Sequence, residues 1–374
     1  MRVLIVPSGI PEDYSVQMAN AISRKGVEVG IVLKESSYNE IEPFLSQNLS
    51  VFKIPREPFG LLRTIHRIIR FKPDIVHFND GVDNVSILML IIFLFSKVRI
   101  VTTFHDVIIH PGDENLKKIV VRYILRRKSR KIFVHGKVLK EEFVRKYKVS
   151  DDFVVSIVMG NHNSSLFEYY SKDSGNVVKD KNTLNILFFG WIAPRKGVDI
   201  LLEAVLELVE EGYKNLKLIV AGKVGSGFGY NELVDRINKL SGDERLKDIV
   251  EMRLRYIPWN EGGQLYKWAD VVVLPYTEIS QSGVVGIAYH FSKPVIATNL
   301  GALPEIVEDK RTGLLIDGSS VHSIKEGIKS SIIFLLNNPQ KIEEFGKNAK
   351  NFVETEMNWD RIVNTIINSY SELD

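Results

Sequence analysis

The chain has 374 residues (42.6 kDa), 45% of them hydrophobic and 25% charged, which suits two medium-sized domains and excludes one small module or wholesale disorder. There is no cysteine, so disulfide scaffolds, cysteine nucleophiles and thiolate metal sites are excluded. The net charge of +3 divides unevenly: residues 1–170 carry 25 Lys and Arg against 18 Asp and Glu, and the remainder 24 against 28.

The first residues, Met1 to Val6, read straight into a strand without the marks of a signal peptide, so a cytoplasmic protein is expected. Further β-rich runs follow at Val29 to Leu33, Val51 to Ile54, Asp74 to Phe78, Arg99 to Thr103, Lys131 to Val134 and Val154 to Val158. Between them Leu62, Ile65, Ile68 and Ile69 share one face of a helix over Leu61 to Arg70. The longest apolar run, Ile87 to Phe95, falls well short of the roughly 20 residues of a spanning helix. It reads as a helix buried between sheet and neighbour, with a dip into a bilayer interface as the alternative. From Lys117 to Lys148 there are 13 Lys and Arg against Glu141 and Glu142, with apolar Ile119, Val120 and Tyr123 interleaved. That stretch is either a solvated helix face or a basic amphipathic surface for an anionic membrane or a lipid-phosphate acceptor, on the inner face of the membrane. It carries no recognisable nucleic-acid-binding module, and no nucleic acid partner is expected.

Residues 171–183 are polar with little periodicity and read as a linker. The alternation then restarts, with strands at Asn185 to Phe189, Lys217 to Ala221, Ile249 to Arg253, Val271 to Leu274 and Pro294 to Ala297, and helices at Val198 to Glu210 and Glu261 to Ala269. The expected organisation is therefore α/β: a doubly wound domain over 1–170, the linker, a second over 184–357, and an amphipathic helix in 358–374 packing back on the body. Two such units facing each other would bind a ligand in the cleft between them.

Two loops of the second half suit phosphate. In Phe188-Phe-Gly-Trp-Ile-Ala-Pro-Arg-Lys-Gly-Val-Asp199 a strand ends in a Gly turn and passes Arg195 and Lys196 on the way into a helix, where positive charge can stabilise a leaving diphosphate. A solvated Arg-Lys pair is the plain alternative. In the segment from Val271 to Tyr289 a strand runs through a polar loop to a helix opening near Ser282 and Gly283, where backbone amides and the helix dipole favour an anion. An ordinary Ser N-cap is the alternative there. The glycines at 222, 225, 227 and 229 do not fit a dinucleotide fingerprint, which disfavours a Rossmann oxidoreductase. No two Asp stand two apart and no His pair has zincin spacing, so chemistry without a metal is expected.

Taken in order, Phe-Phe-Gly-(x5)-Lys196-Gly197, Leu218-Ile-Val-Ala-Gly222, Tyr256-Ile-Pro258, Trp268-Ala-Asp270-Val-Val-Val-Leu-Pro275, Gln281-Ser-Gly-Val284, Lys293-Pro-Val-Ile-Ala-Thr298 and Gly301-Ala-Leu-Pro-Glu305-Ile-Val resemble a GT-B glycosyltransferase of the family 4 type. Thr312-Gly-Leu-Leu315 extends the series. Lys72-Pro-Asp-Ile-Val-His77 and Val101-Thr-Thr-Phe-His105-Asp106 agree more loosely with its acceptor domain. The resemblance implies two Rossmann-like domains with a deep cleft, and transfer of a sugar, with retention, from a nucleoside diphosphate sugar to a glycan or lipid-linked acceptor. It needs no cofactor beyond that co-substrate and no metal. Lys196 and Arg195 would neutralise the diphosphate, and Ser282, Gly283 and Val284 would offer it backbone amides. Ile257 would hold the base edge, Gly190 and Gly222 would line the donor pocket with Gln281 and Glu305, and His105 would touch the donor sugar.

The pattern departs from its relatives at three places. Trp191 stands where many have an Arg, so Arg195 is the substitute, and Ile279 and Ile287 stand where two glutamates are usual. Gln281-Ser282-Gly283 is similar to a subgroup that replaces the acidic motif, which implies a shifted donor preference. A nucleotide-sugar epimerase on the same fold and a non-catalytic glycan-binding or scaffold subunit are the alternatives. Of the remaining histidines, His77 reads equally well as part of strand and turn, and His110 and His162 lack a context.

Overall fold

The computed structural model describes residues 1–7, 12–80, 82–108, 116–173, 175, 179–180, 182–227 and 229–373. His110 and part of the 171–183 segment lie outside the described residues. The chain forms two compact units, Met1–Asn163 with Met357–Asp374, and Ser164–Glu356.

The first unit runs β1 (Arg2–Val6), α1 (Glu12–Arg24), β2 (Glu28–Lys34), α2 (Glu35–Ile41), β3 (Ser50–Ile54), α3 (Pro58–Phe71), β4 (Ile75–Asn79), α4 (Asn84–Phe93), β5 (Arg99–Phe104), α5 (Leu116–Lys128), β6 (Ser129–His135), α6 (Lys137–Tyr147) and β7 (Val154–Ile157). All pairings are parallel, in the order β3-β2-β1-β4-β5-β6-β7. Helices on both faces leave β4 buried at every position, which is why its sequence is mostly apolar, with His77 and Asn79 as its two polar side chains. Asp83 caps α4 by accepting from the Ser86 amide at 2.8 Å. The apolar run Ile87 to Phe95 predicts a buried helix here. The structure instead leaves Ile91 and, just past its end, Phe95 exposed, because only the side bearing Met89, Leu90 and Phe93 meets the sheet.

The second unit runs α7 (Ser164–Tyr170), β8 (Leu184–Phe189), α8 (Val198–Glu210), β9 (Leu216–Ala221), α9 (Tyr230–Ser241), β10 (Val250–Arg253), α10 (Trp259–Trp268), β11 (Val271–Leu274), α11 (Gly283–His290), β12 (Val295–Thr298), α12 (Leu303–Ile306), β13 (Gly313–Ile316), α13 (Val321–Asn337) and α14 (Gln340–Thr355). Its parallel sheet has the order β10-β9-β8-β11-β12-β13. The helix α7 groups with this unit, not with residues 1–163. The cause is Phe167, whose ring lies 4.9 Å from Trp259 and 5.5 Å from Phe189, in a space kept open by Gly262, where a Cβ would fall 2.2 Å from that ring.

The chain then returns to the first unit as α15 (Trp359–Ser371), which packs against α1. Its buried stripe of Trp359, Ile362, Val363, Ile366 and Tyr370 joins the core of β1, α1 and β2. The Trp359 indole donates to the Asn161 carbonyl at 2.7 Å, and Gly160 makes room for its ring. His77 lies beneath: its Nδ1 meets the Tyr370 hydroxyl at 2.5 Å and its Nε2 the Thr103 hydroxyl at 2.7 Å. With both ring nitrogens engaged and no exposure, His77 is a core histidine.

Candidate functional site

In the second unit the chain runs outward from β8 through β9 to β10, then crosses to the other side of β8 as β11. Connections diverge at this point, and doubly wound sheets take their ligands at the carboxyl ends of the two strands that flank it, here β8 and β11, which makes this end of the sheet the candidate crevice. Most of the residues expected at a donor site stand around it.

The first wall follows β8. Gly190 has φ +123°, a conformation that favours glycine, and its amide donates to the Ala221 carbonyl at 3.0 Å. A Cβ on Gly222 would lie 1.7 Å from the Gly190 carbonyl, so the room that Gly222 leaves is taken up by backbone. Beyond the half-exposed Trp191, residues Pro194–Lys196 make one 3-10 turn that ends at Gly197, φ +66°. The bare Cα of Gly197 abuts Pro275, whose carbonyl would sit 2.0 Å from an added Cβ, and the Thr277 amide donates to the Arg195 carbonyl at 3.0 Å. These contacts stitch the Arg195-Lys196 turn to the loop that follows β11, and the Lys196 ammonium lies 3.8 Å from the centroid of the Tyr276 ring. Tyr276 itself is buried and pushed up to about 12, so it stays neutral and presents a π face to the cation.

The second wall is the start of α11. Ser282 occupies the N-cap position but makes no side-chain cap; its hydroxyl is buried and lies 3.3 Å from the Tyr276 hydroxyl. The amides of the first turn have no intrahelical acceptor, and Gly190 faces that turn, a Cβ there reaching Val284 Cγ2 at 3.7 Å. Beside it the Gln281 Oε1 is buried and lacks a hydrogen-bond donor among the described residues. Gly190, Arg195, Lys196, Ser282, Gly283 and Val284 are thus brought together by the two central strands. Glu305 stands on α12, exposed, and the loop before α12 is tied to the β11 loop where the Ala302 amide donates to the Ser280 carbonyl at 2.9 Å. Ile257 is buried in the loop after the edge strand β10. Ile287 is buried within α11 and offers no carboxylate to the crevice.

His105 belongs to the other unit, at the carboxyl end of β5. Its amide donates to Asp80 at 3.3 Å and its Nδ1 lies 3.2 Å from His135 Nε2, so one ring donates to the other. Tyr14 lies edge-on to both rings, with centroids 4.8 Å from His105 and 5.5 Å from His135. Burial holds His105 down to about 4 against the opposing pull of Asp106, and it lowers His135 and His162 in the same way. All three are neutral imidazoles at neutral pH. Tyr276, Tyr14 and His135 escaped the sequence reading: Tyr276 looks like the tail of a strand, and His135 ends a strand embedded in a run of cations. Among the described residues no group of three His, Asp or Glu is placed to hold a metal ion.

Comparison with known proteins decides what kind of unit carries this crevice. Residues 171–352 match the family Glycosyl transferases group 1, and residues 12–157 match Glycosyltransferase Family 4. Each unit thus matches a glycosyltransferase family model, the crevice residues falling within the group 1 match and His105 within the family 4 match. The chain is similar to the D-inositol 3-phosphate glycosyltransferase of Gordonia bronchialis, 29% identical over 201 residues that make up 51% of this chain and 41% of that protein. It is also similar to an uncharacterized glycosyltransferase of Methanocaldococcus jannaschii, 30% identical over 187 residues, 50% of this chain and 48% of that one. The chain thus matches less than half the length of these curated relatives. Among solved structures, Anabaena HepE in complex with UDP superposes with a TM-score of 0.71 at 17% identity, over 100% of both chains. Sucrose-phosphate synthase from Thermosynechococcus elongatus gives 0.70 at 17% identity, over 100% of this chain and 99% of that one. At such identities the likeness speaks for the fold: α/β, GT-B, two Rossmann-like doubly wound domains.

Proposed function

We propose that the chain is a retaining glycosyltransferase that moves a sugar from a nucleoside diphosphate sugar to an acceptor hydroxyl on a glycan or a lipid-linked saccharide. The observation that carries this reading is the cationic turn Arg195-Lys196 stitched beside the uncapped first turn of α11 at the point where the strand order reverses. Two cations and a fan of amides suit the charge that develops on a departing diphosphate, and preorganised donors of this kind supply much of the rate in such reactions. As the bond from the anomeric carbon to the phosphate oxygen breaks, the acceptor oxygen bonds to the same face and its proton passes to the departing phosphate. Lys196 and Arg195 take the role that a divalent cation plays elsewhere, so the reaction runs without a metal. The buried Gln281 Oε1 accepts from a hydroxyl of the donor sugar, while Ile257, in the loop after β10, and Glu305, on α12, are assigned to base and sugar. His105, in the first unit, is the residue that the resemblance assigns to the sugar, and burial keeps its imidazole neutral.

HepE was solved with UDP and with UDP-glucose, which makes uridine nucleotides the first to test. Nucleotide sugars with UDP, GDP, ADP and dTDP are screened for slow hydrolysis in the presence of a chelator, with released diphosphate as the readout. One of them should be turned over, and Lys196→Ala should lower that release by about a hundredfold or more. A chain that binds no nucleoside diphosphate in a calorimetric titration, or a Lys196→Ala variant with undiminished release, overturns the assignment. Interconversion of sugars with no acceptor present would instead identify an epimerase.

A further inference from the structure

The connections from β3 through β6 run across the sheet of the first unit in the direction opposite to those from β1 to β3. Right-handed crossovers therefore put α3, α4, α5 and α6 on one face of the sheet, and α1 and α2 on the other, where α15 also packs. Lys117 Nζ donates to Asn84 Oδ1 at 2.9 Å, so α4 and α5 begin side by side.

The inner sides of these helices meet the sheet through residues such as Ile68, Phe93 and Leu125. Their outer sides break the usual rule for a solvated surface. Phe59 on α3 is 79% exposed, Phe95 at the end of α4 is 90% exposed and Leu116 on α5 is 76% exposed. Leu62 and Ile69 extend the stripe on α3, Ile91 the one on α4, and Ile119, Val120 and Tyr123 the one on α5. Elsewhere among the described residues exposed large apolar side chains stand singly, as they do on most proteins. Moreover, α4 has no charged residue at all, a composition that belongs inside a protein or against another apolar phase. No helix among the described residues is long and apolar enough to cross a membrane.

The charges carried by the three helices have one sign, with Glu57 at the N-cap of α3 and Asp83 at that of α4 as the carboxylates at their ends. Arg63, Arg67 and Arg70 flank the apolar stripe of α3, and Lys117, Arg127 and Lys128 that of α5, while none of the three helices contains Asp or Glu. A second copy of the chain docked face to face would set cation against cation. The apolar ridges are mostly aliphatic and offer no stacking platform for nucleic acid bases. Ridges whose helices carry only cations match an anionic lipid surface, where the ridges enter to headgroup depth and the cations meet phosphates.

We infer that the outer face of α3, α4 and α5 docks the chain onto an anionic bilayer. The surface differs from the one expected from Lys117 to Lys148, because α6 adds Glu141 and Glu142 and, of its large apolar side chains, only Val138 is exposed, whereas α3 and α4 supply most of the apolar ridge. The inference does not depend on glycosyl transfer. The full chain is mixed with vesicles of phosphatidylcholine alone or of phosphatidylcholine with phosphatidylglycerol and followed by flotation. It should float with the anionic vesicles only, and salt should release it. The double variant Ile91→Ser, Phe95→Ser should weaken partitioning by about tenfold or more, and Arg63→Gln and Arg67→Gln by about fivefold each, with the circular dichroism spectrum unchanged. Three results would overturn the inference: wild-type chain that stays with the sediment, flotation undiminished in the variants, or a dimer in sedimentation that the double variant abolishes while vesicles bind nothing.

Discussion

Three glycines around the crevice make different demands although all have positive φ. At Gly222 an added Cβ would fall 1.7 Å from the Gly190 carbonyl and at Gly197 2.0 Å from that of Pro275, whereas at Gly190 it would meet only Val284 Cγ2 at 3.7 Å. Backbone cannot yield as a side chain can, so Gly222→Ala and Gly197→Ala should each cost more than Gly190→Ala, whose penalty is the about 1–3 kcal/mol of a strained conformation alone. Calorimetric melting temperatures of the three variants give the ranking; an equal drop at all three would refute it. Single residues were legible in the sequence where backbone geometry fixes their type, as with Gly190 and Gly197 after a strand end. Residues selected by distant neighbours were not. Tyr276 is held in place through the Lys196 ammonium and the Ser282 hydroxyl, and His77 through Tyr370, 293 positions further along the chain.

Among the elements, α15 is the one whose removal is most telling. Its five buried side chains, with Tyr370 hydrogen-bonded to His77 and Trp359 to Asn161, close the core over β1 and α1. Each large apolar side chain so buried contributes about 1.5–3 kcal/mol, and together they rival the entire stability of an ordinary domain. A chain ending after Glu356 should therefore lose the cooperative unfolding transition of the first unit while the second keeps its own, as read by calorimetry; two intact transitions would show that α15 is dispensable. The strands were legible because parallel strands covered on both faces read as near-continuous apolar runs, and the expected and observed bounds differ by at most two residues. The strand β13 was not, since it begins at Gly313 against the Val295 carbonyl and reads as a turn. The grouping of α7 was equally hidden, because it is decided by where the Phe167 ring lodges.

For the whole molecule, acid is the revealing variable. Burial holds His77 down to about 3 and His105 to about 4, and lowers His135 and His162 as well, all from an ordinary value of 6.5. An unfolded chain takes up protons on these rings as the pH falls through about 6.5, and the folded one does not, so their stabilisation is complete above that value and drains away toward about 4. Asp80, raised to about 6 by burial, and Glu12 and Asp13, also raised, act in the opposite sense. The imidazoles outnumber them, and the urea midpoint of the first unit should fall between about pH 7 and pH 5, less steeply in His77→Gln; a midpoint that climbs on acidification would contradict this. The place of α15 along the polypeptide has a consequence for biosynthesis. The ribosome delivers every residue of the second unit, Ser164–Glu356, before it delivers the segment that completes the first. The later-made unit can mature while the earlier-made one still waits with an open hydrophobic flank, and it is that interval, not the finished protein, in which a nascent chain of this design most needs a chaperone.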